Sequence, residues 1–466
     1  METANTRNNT MNFGFAGGMK IDIILIIATV ILITIGIMFI YSSEYVPEEY
    51  KMTEIKVNVE EETNLKMYIK QILFCIPGVL LAFLTFLIGT NKIQSYAWFL
   101  YFAIILLLIL VFLFGVRIYG SKSWFGIAGF GIQPSEFAKL ILIIVLSKYI
   151  SIVGEKIKNW KYYILGLFIC SPILGLILLQ PDFGTILVFL PVIMIILFMG
   201  GCSILHLLTT IFAGTFAIIG GIIIKAPYLL PNEYQFLLTL FLNFKNILII
   251  VSSSAVIIIL STLLLKKYKG NLVIRIILAI FLAISIGFSG SIGTSNVIKD
   301  HHVNRFISFL DPSADPQNTG YSLKQSIVAI GAGGSTGQGW LEGKQNQLGF
   351  ITVKWADYIF SLYAEEMGFR GTLLLLILYA LLLFRGIVTI YYAKDMFGGL
   401  TATGIISLII FQVFINLSVT IGILPVVGIT LPFISAGGSS LITFTTAIGL
   451  LIAIQYEGKS KNSVIL

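Results

Sequence analysis

The chain has 466 residues, of which 57% are hydrophobic and only 11% charged, with a formal net charge of +8. Globular domains carry roughly 25% charged residues, so this composition excludes a soluble fold and implies an all-α polytopic membrane protein. The surplus of Lys and Arg fits basic residues gathered at cytoplasmic helix ends, facing anionic membrane lipids. No basic patch is interleaved with stacking aromatics, which argues against nucleic acid as a partner.

The N-terminal residues 1–21 are polar and lack a small-residue cleavage site, so they read as a cytoplasmic tail ahead of a retained first span. A helix needs about 20 apolar residues to cross the hydrocarbon core. Twelve segments qualify, at about residues 22–42, 69–89, 95–116, 136–153, 162–180, 183–200, 203–225, 246–265, 272–291, 358–384, 398–421 and 434–455. An even count puts both termini on one side. Lys148, Lys156, Lys158, Lys161, Lys266, Lys267, Lys269, Lys459 and Lys461 share that side, and the run Glu60-Glu61-Glu62 lies opposite. The bias assigns both termini, including the tail 457–466, to the cytoplasm. Residues 22–456 then form one membrane domain. Within it, 226–271 reads as an insertion: an amphipathic piece, Tyr228 to Lys245, followed by one span.

From about Ile292 to Asp357 the chain stops reading as membrane-spanning and forms a long extracytoplasmic loop before the tenth span. Loops longer than about 15 residues are usually functional or disordered. This one carries Arg305, Asp311, Asp315, Lys354 and Asp357, and the run Gly331-Ala-Gly-Gly-Ser-Thr-Gly-Gln-Gly339. The run follows no strand and opens no βαβ unit, which argues against nucleotide binding. Close helix packing or backbone donors for a diphosphate fit it better. His301 and His302 are too isolated to mark a metal site. Cys75, Cys170 and Cys202 lie in or beside apolar runs without ligand spacing and read as small buried hydrophobes.

Four other constellations could carry chemistry. In Gln133-Pro-Ser-Glu-Phe-Ala-Lys139, Pro134 suits a first helical turn, Ser135 with Glu136 can cap it, and Glu136 and Lys139 share a face. The choice is between a capped helix with a snorkelling lysine and a charged pair at a membrane-embedded site. Asp182, in Gln180-Pro-Asp-Phe-Gly-Thr185, is either an N-cap or a carboxylate of the outer face. Asp357, at the mouth of the tenth span, is either an N-cap or a general base. In the second case the apolar rim would lift its pKa toward neutrality. Glu365 and Glu366 are costly inside an apolar helix and need partners, such as Arg370 or a polar cavity. Gly422 to Ser440, broken by Pro425 and Pro432, reads as a re-entrant loop that packs near the site.

The segments Gln133-Pro-Ser-Glu136, Gln180 to Thr185, Phe309-Leu-Asp-Pro312, Gly339 to Gln347, Ala364-Glu-Glu366 and Gly422 to Gly428 occur in this order. Together they resemble the shape, elongation, division and sporulation (SEDS) glycosyltransferases, over about residues 70–220 and 272–456. Gly339-Trp340 and Leu424 to Gly428 resemble the elongation type, RodA. Thr430-Leu-Pro-Phe433 leans toward the division type, FtsW. The resemblance implies polymerisation of lipid II into peptidoglycan at the outer face of the cytoplasmic membrane, for cell elongation and shape, beside a class B penicillin-binding protein. It makes Asp357 the catalytic carboxylate and Trp124, Glu136, Lys139, Asp182 and Arg305 substrate-binding. Lys139 and Arg305 would face the diphosphate, with a divalent cation (Mg or Mn) as a candidate addition. No ligand cluster in the sequence identifies a metal. Departures stand beside these matches: Trp355-Ala356 replaces the family's His-Thr before the aspartate, Ser435-Ala-Gly-Gly438 replaces Ser-Tyr-Gly-Gly, and twelve spans replace about ten. The alternative role for such a chain is a lipid II flippase, which shares the lipid substrate but needs no outward general base.

Overall fold

The computed structural model describes residues 21–45, 65–118, 121–127, 130–226, 240–268, 271–297, 319–350 and 353–465, with Val303, Arg305 and Phe309 as single positions. The acidic run at 60–62, His301, His302, Asp311, Asp315 and most of the amphipathic piece of 226–271 lie outside the described residues.

Apolar runs of spanning length become helices in chain order: α1 (Ile23–Glu44), α2 (Met67–Ile88), α3 (Thr90–Phe114), α4 (Pro134–Val153), α5 (Trp160–Leu179), α6 (Phe183–Met199), α7 (Ile204–Lys225), α8 (Phe244–Lys267) and α9 (Leu272–Val297). After them come α10 (Thr319–Gly333), α11 (Ile359–Tyr392), α12 (Met396–Thr420) and α13 (Gly438–Ile465). Eleven of these are long and apolar enough to cross a membrane, and α6 is a shorter apolar helix of 17 residues. The twelve expected spans are all helical. Among the described residues the exception to the all-helical pattern is a three-stranded antiparallel sheet between α3 and α4, β1 (Val116–Ile118), β2 (Ser121–Ile127) and β3 (Phe130–Ile132).

Side-chain contacts sort the ends of α1 to α3 and α11 to α13 into two faces. At one face Arg385 of α11 grips Asp22, which also caps α1 by accepting from the Leu25 amide. On the same face Glu457 of α13 accepts from Thr90 at the start of α3 and from Lys394 between α11 and α12. At the other face Glu44, ending α1, accepts from the Met67 amide that opens α2, and Gln71 donates to the Ser435 carbonyl. This is the alternation that an even number of crossings requires.

The centre of the bundle is α4, α12 and α13. On α12 residues from Phe397 to Ile409 are nearly all buried, whereas α2 buries only Gln71 and Gly78. Segment α8, from the stretch expected as an insertion, packs on α9, and α9 on α7. These three have a small core of their own around Ile223, Phe241, Ile247 and Phe288.

The polar stretch 292–357 is less of a loop than its composition suggests. Its first residues extend α9 to Val297, and α10 lies within it. Ser326 of α10 donates to the Thr420 carbonyl at the end of α12 and pairs with Ser361 of α11, which binds α10 across the mouths of both spans. Residues 421–437 form the expected re-entrant segment. Its tip is buried at Leu431, Phe433 and Ile434, and the Phe433 carbonyl lies against Gly36 of α1, where a Cβ would come within 2.5 Å. Gly36 is eight residues inside the end of α1, about 12 Å at 1.5 Å per residue. Non-helical backbone is tolerated at that depth because protein surrounds it, and Tyr379 of α11 supplies a hydrogen bond to the Pro432 carbonyl.

Candidate active site

Asp357 sits just before α11, half-buried, and does not cap it: the capping position is Tyr358, and no side chain bonds there. The carboxylate faces the re-entrant segment, where a Cβ added to Gly428 would lie 3.7 Å from Asp357 Oδ2. Gly428 also has φ 71, a conformation that side chains rarely adopt. The backbone that carries Asp357 is pinned at three consecutive carbonyls. Ala436 N donates to Trp355, Ser435 Oγ to Ala356 at 2.7 Å, and Asn416 Nδ2 to Asp357 at 3.2 Å. Burial lifts the Asp357 carboxyl from 3.8 to about 6, against the pull of the Arg305 guanidinium, which favours the charged form.

A second constellation is bound to the same helix, α12. Lys139 Nζ is 2.7 Å from Glu136 Oε1 and donates to Gln412 Oε1 at 3.0 Å. Gln412 Nε2 in turn donates to the Thr430 carbonyl at 3.0 Å, while Asn416 Nδ2 donates to the neighbouring Ile429 carbonyl at 2.7 Å. Gln412 and Asn416 are four apart on α12 and therefore adjacent on one face. Neighbouring residues of the re-entrant segment and one turn of α12 thus connect the Glu136–Lys139 pair, through Gln412, with Asp357, through Asn416. Lys139 is only 2% exposed and committed to two oxygens, Glu136 Oε1 and Gln412 Oε1. Glu136 Oε2 is buried without a partner.

Asp182 is the N-cap of α6 and also binds the start of α4. Oδ1 accepts from the Thr185 amide and caps α6, and Oδ2 accepts from Gln133 Nε2 at 2.9 Å and Ser135 Oγ at 3.1 Å. Ser135 therefore binds Asp182 instead of capping its own helix. The Gln133 amide donates to Ser439 Oγ, which ties the start of α4 to the start of α13. Trp124 lies on β2, half-buried, with its ring packed across Gly131 on β3, two residues before Gln133. The structure brings Glu136, Lys139, Asp182 and Asp357 to one face of the bundle, sets Arg305 in electrostatic reach of Asp357, and puts Trp124 on the hairpin leading into the Gln133 segment.

The glycine run acts as a packing element. Gly368 interrupts α11 with φ 63 and ψ −165, which frees the carbonyls of the preceding turn. The amides of Gln338 and Gly339 donate to the Glu365 and Glu366 carbonyls, and Phe369 N and Arg370 N donate back to Gly334 and Ser335. Backbones this close admit no side chain: a Cβ on Gly337 would meet the Glu366 carbonyl at 2.1 Å. The Gln338 and Gly339 donors are therefore spent within the protein. Glu365 and Glu366 find their partners in the loop and in α1, not at Arg370. Gln345 N donates to Glu365, and Ser42 Oγ and Leu341 N donate to Glu366.

Gln412 and Asn416 stand in none of the constellations read from the sequence, although two amides four residues apart in an apolar helix are a recognisable signal. Among the described residues no three His, Cys, Asp or Glu side chains gather as a metal site.

Fold and site together define a polytopic helical membrane protein that presents a half-buried carboxylate, backed by a buried Glu–Lys pair, at one end of its bundle. The sequence profile of the FtsW/RodA/SpoVE cell cycle proteins matches residues 23–247 and 236–460. The peptidoglycan glycosyltransferase RodA of Treponema pallidum is 32% identical over 94% of this chain and 98% of its own. Stage V sporulation protein E of Bacillus subtilis is 30% identical over 93% and 96%. A chain from a solved peptidoglycan synthase complex, described as coordinating polymerization and crosslinking, superposes with a TM-score of 0.61 at 26% identity, covering 94% of this chain and 98% of that one. The rod shape determining protein RodA of Thermus thermophilus has the same fold, with a TM-score of 0.56 and 23% identity over 93% and 96%. The chain belongs to the FtsW/RodA/SpoVE family.

Proposed function

We propose that this chain is a RodA-type peptidoglycan glycosyltransferase that polymerises lipid II, with Asp357 as general base. The observation that carries the reading is a carboxylate lifted to about 6 by burial, pinned through three successive carbonyls, and free of capping duty. A base with such a pKa is ionised near neutrality yet still accepts a proton.

Asp357 takes the proton from the 4-hydroxyl of the acceptor sugar. The oxygen attacks the anomeric carbon of the donor as the bond to the diphosphate oxygen breaks. Both electrons of that bond leave with undecaprenyl diphosphate, and the anomeric centre inverts. Proton removal contributes about 10²- to 10⁴-fold; positioning and stabilisation of the leaving charge supply the rest. Arg305 is suited to direct contact with the diphosphate, while Lys139 lends its charge from behind. Asp182 and Glu136 shape the cavity wall, and Trp124 offers a ring at its rim. A divalent cation would add charge stabilisation at the diphosphate; the chain's own residues hold and orient the two sugars.

The site faces outward, with both termini in the cytoplasm, in agreement with the positive-inside bias. An enzyme on that face has no nucleotide sugar and needs a donor already activated on a lipid. A class B penicillin-binding protein is the expected partner, by analogy with the complex whose chain this one resembles. Purified protein should form glycan strands from lipid II alone, and Asp357→Asn should bind lipid II but form none. Undiminished polymer from that variant would refute the assignment of Asp357, and wild-type protein that binds lipid II but forms no polymer would return weight to a flippase.

A further inference from the structure

We infer that Lys354 is a positioning residue for the glycosyl transfer, clasping the turn that presents Asp357 to a polar cluster built from α1 and α11. The inference rests on the functional reading above and extends it to a residue outside the site already described.

Asp357 lies in a turn, residues 353–358, that is held from two directions. On one side the re-entrant segment and Asn416 take the carbonyls of Trp355, Ala356 and Asp357. On the other side Lys354 Nζ donates to the Asn346 carbonyl at 2.7 Å. Asn346 is 1% exposed and belongs to a one-turn helix, Lys344–Gln347. Its side chain donates to the Ser42 carbonyl at the end of α1 at 2.8 Å. The same short helix donates to Glu365 from the Gln345 amide, and Ser42 Oγ donates to Glu366. A chain of hydrogen bonds therefore runs from the turn through Lys354 and Asn346 into α1 and α11.

The turn needs such a clasp. Val353 has φ 51, where a β-branched side chain is strained, so the surroundings must hold it there. Charge supplies the reason for a lysine. Three carboxylates act on its ammonium, Glu366 and Glu365 from α11 and Glu44 from the end of α1. Removing the ammonium would loosen the turn and leave those carboxylates without their shared cation. Burial brings the Lys354 amine down to about 8 in spite of the three acids. The clasp therefore loses its charge on the alkaline side, well separated from the ionisation of Asp357 near 6.

The experiment is steady-state polymerisation of lipid II by purified full-length protein, with pH profiles from 5 to 10, for wild type, Lys354→Met and Lys354→Arg. Thermal melts establish that each variant folds. Lys354→Met should lower kcat about 10- to 100-fold, the cost of roughly an ångström of misplacement, with KM for lipid II unchanged. Wild-type kcat should fall above about pH 8. Lys354→Arg, which stays charged throughout, should recover most of kcat at pH 7 and move the alkaline limb upward. Full kcat in Lys354→Met would overturn the proposal. So would an alkaline limb that stays in place in Lys354→Arg, or a raised KM at unchanged kcat, which would make Lys354 a substrate contact. Wild-type protein that forms no polymer at any pH would fail the functional reading itself, a result distinct from any of these.

Discussion

Replacing Asp357 by Asn should remove the activity and stabilise the protein at once. The carboxyl titrates at about 6 in the fold against 3.8 for an ordinary aspartate. Holding it ionised at pH 7 therefore costs the folded state about 3 kcal/mol, at 1.36 kcal/mol per pH unit. The sign follows from proton binding. The folded chain holds this proton more tightly than the unfolded chain, so the cost is absent below pH 4, grows between 4 and 6 and is constant above. Asn keeps the shape without the charge, so a melt of Asp357→Asn should exceed wild type by a few degrees at pH 7 and match it near pH 4. Over the same range wild-type kcat/KM should fall tenfold per pH unit below about 6, as the base becomes protonated. Polymer formation by the variant should drop about 10²- to 10⁴-fold. An Asn variant that melts lower than wild type at pH 7, or a rate profile flat through pH 6, would refute the idea that burial sets this carboxyl's pKa and that its ionised form does the work.

Lys139→Ala should destabilise by about 3 to 5 kcal/mol, because it strands a buried carboxylate; thermal melting checks this, and Glu136→Gln with Lys139→Met together should recover much of the loss but not the activity. Asn416→Leu releases the Asp357 and Ile429 carbonyls at once, and should lower kcat in the lipid II assay with little change in KM. Gly368→Ala combines a positive φ with a Cβ 2.2 Å from the Gly337 amide nitrogen, and should show as poor yield and a melt many degrees lower. Chelation with EDTA followed by Mg²⁺ or Mn²⁺ addition tests the cation: a fall and recovery of polymer is expected if the diphosphate carries one.

How much of this was legible without coordinates differs by feature. The twelve helices were, because bilayer thickness sets span length and apolar runs of that length have few other uses. Asp357 was legible as a polar residue at a span's mouth, and Asp182 as a cap, since capping is a local matter. The glycine run was open between packing and phosphate binding. Its resolution depends on Gly368 breaking α11 thirty residues later, which no local pattern around 331–339 reports. The stretch 292–357 looked like loop because polar composition hides the helix Thr319–Gly333, whose fit against α11 and α12 is set by Ser361 and Thr420.

By itself the sequence determined the class of protein and its apolar helices, and marked Asp357 as a carboxylate at the mouth of a span, all consequences of residue type and spacing within one segment. Tertiary structure alone decided that Asp357 is free of capping duty and lifted toward neutrality, that Glu136, Lys139 and Asp357 hang from one turn of α12, and that Lys354 ties the turn carrying Asp357 to α1. The reason is physical: desolvation and hydrogen-bond geometry depend on neighbours hundreds of residues apart in the chain, as Asn346 and Ser42 are, and only packing brings such neighbours together.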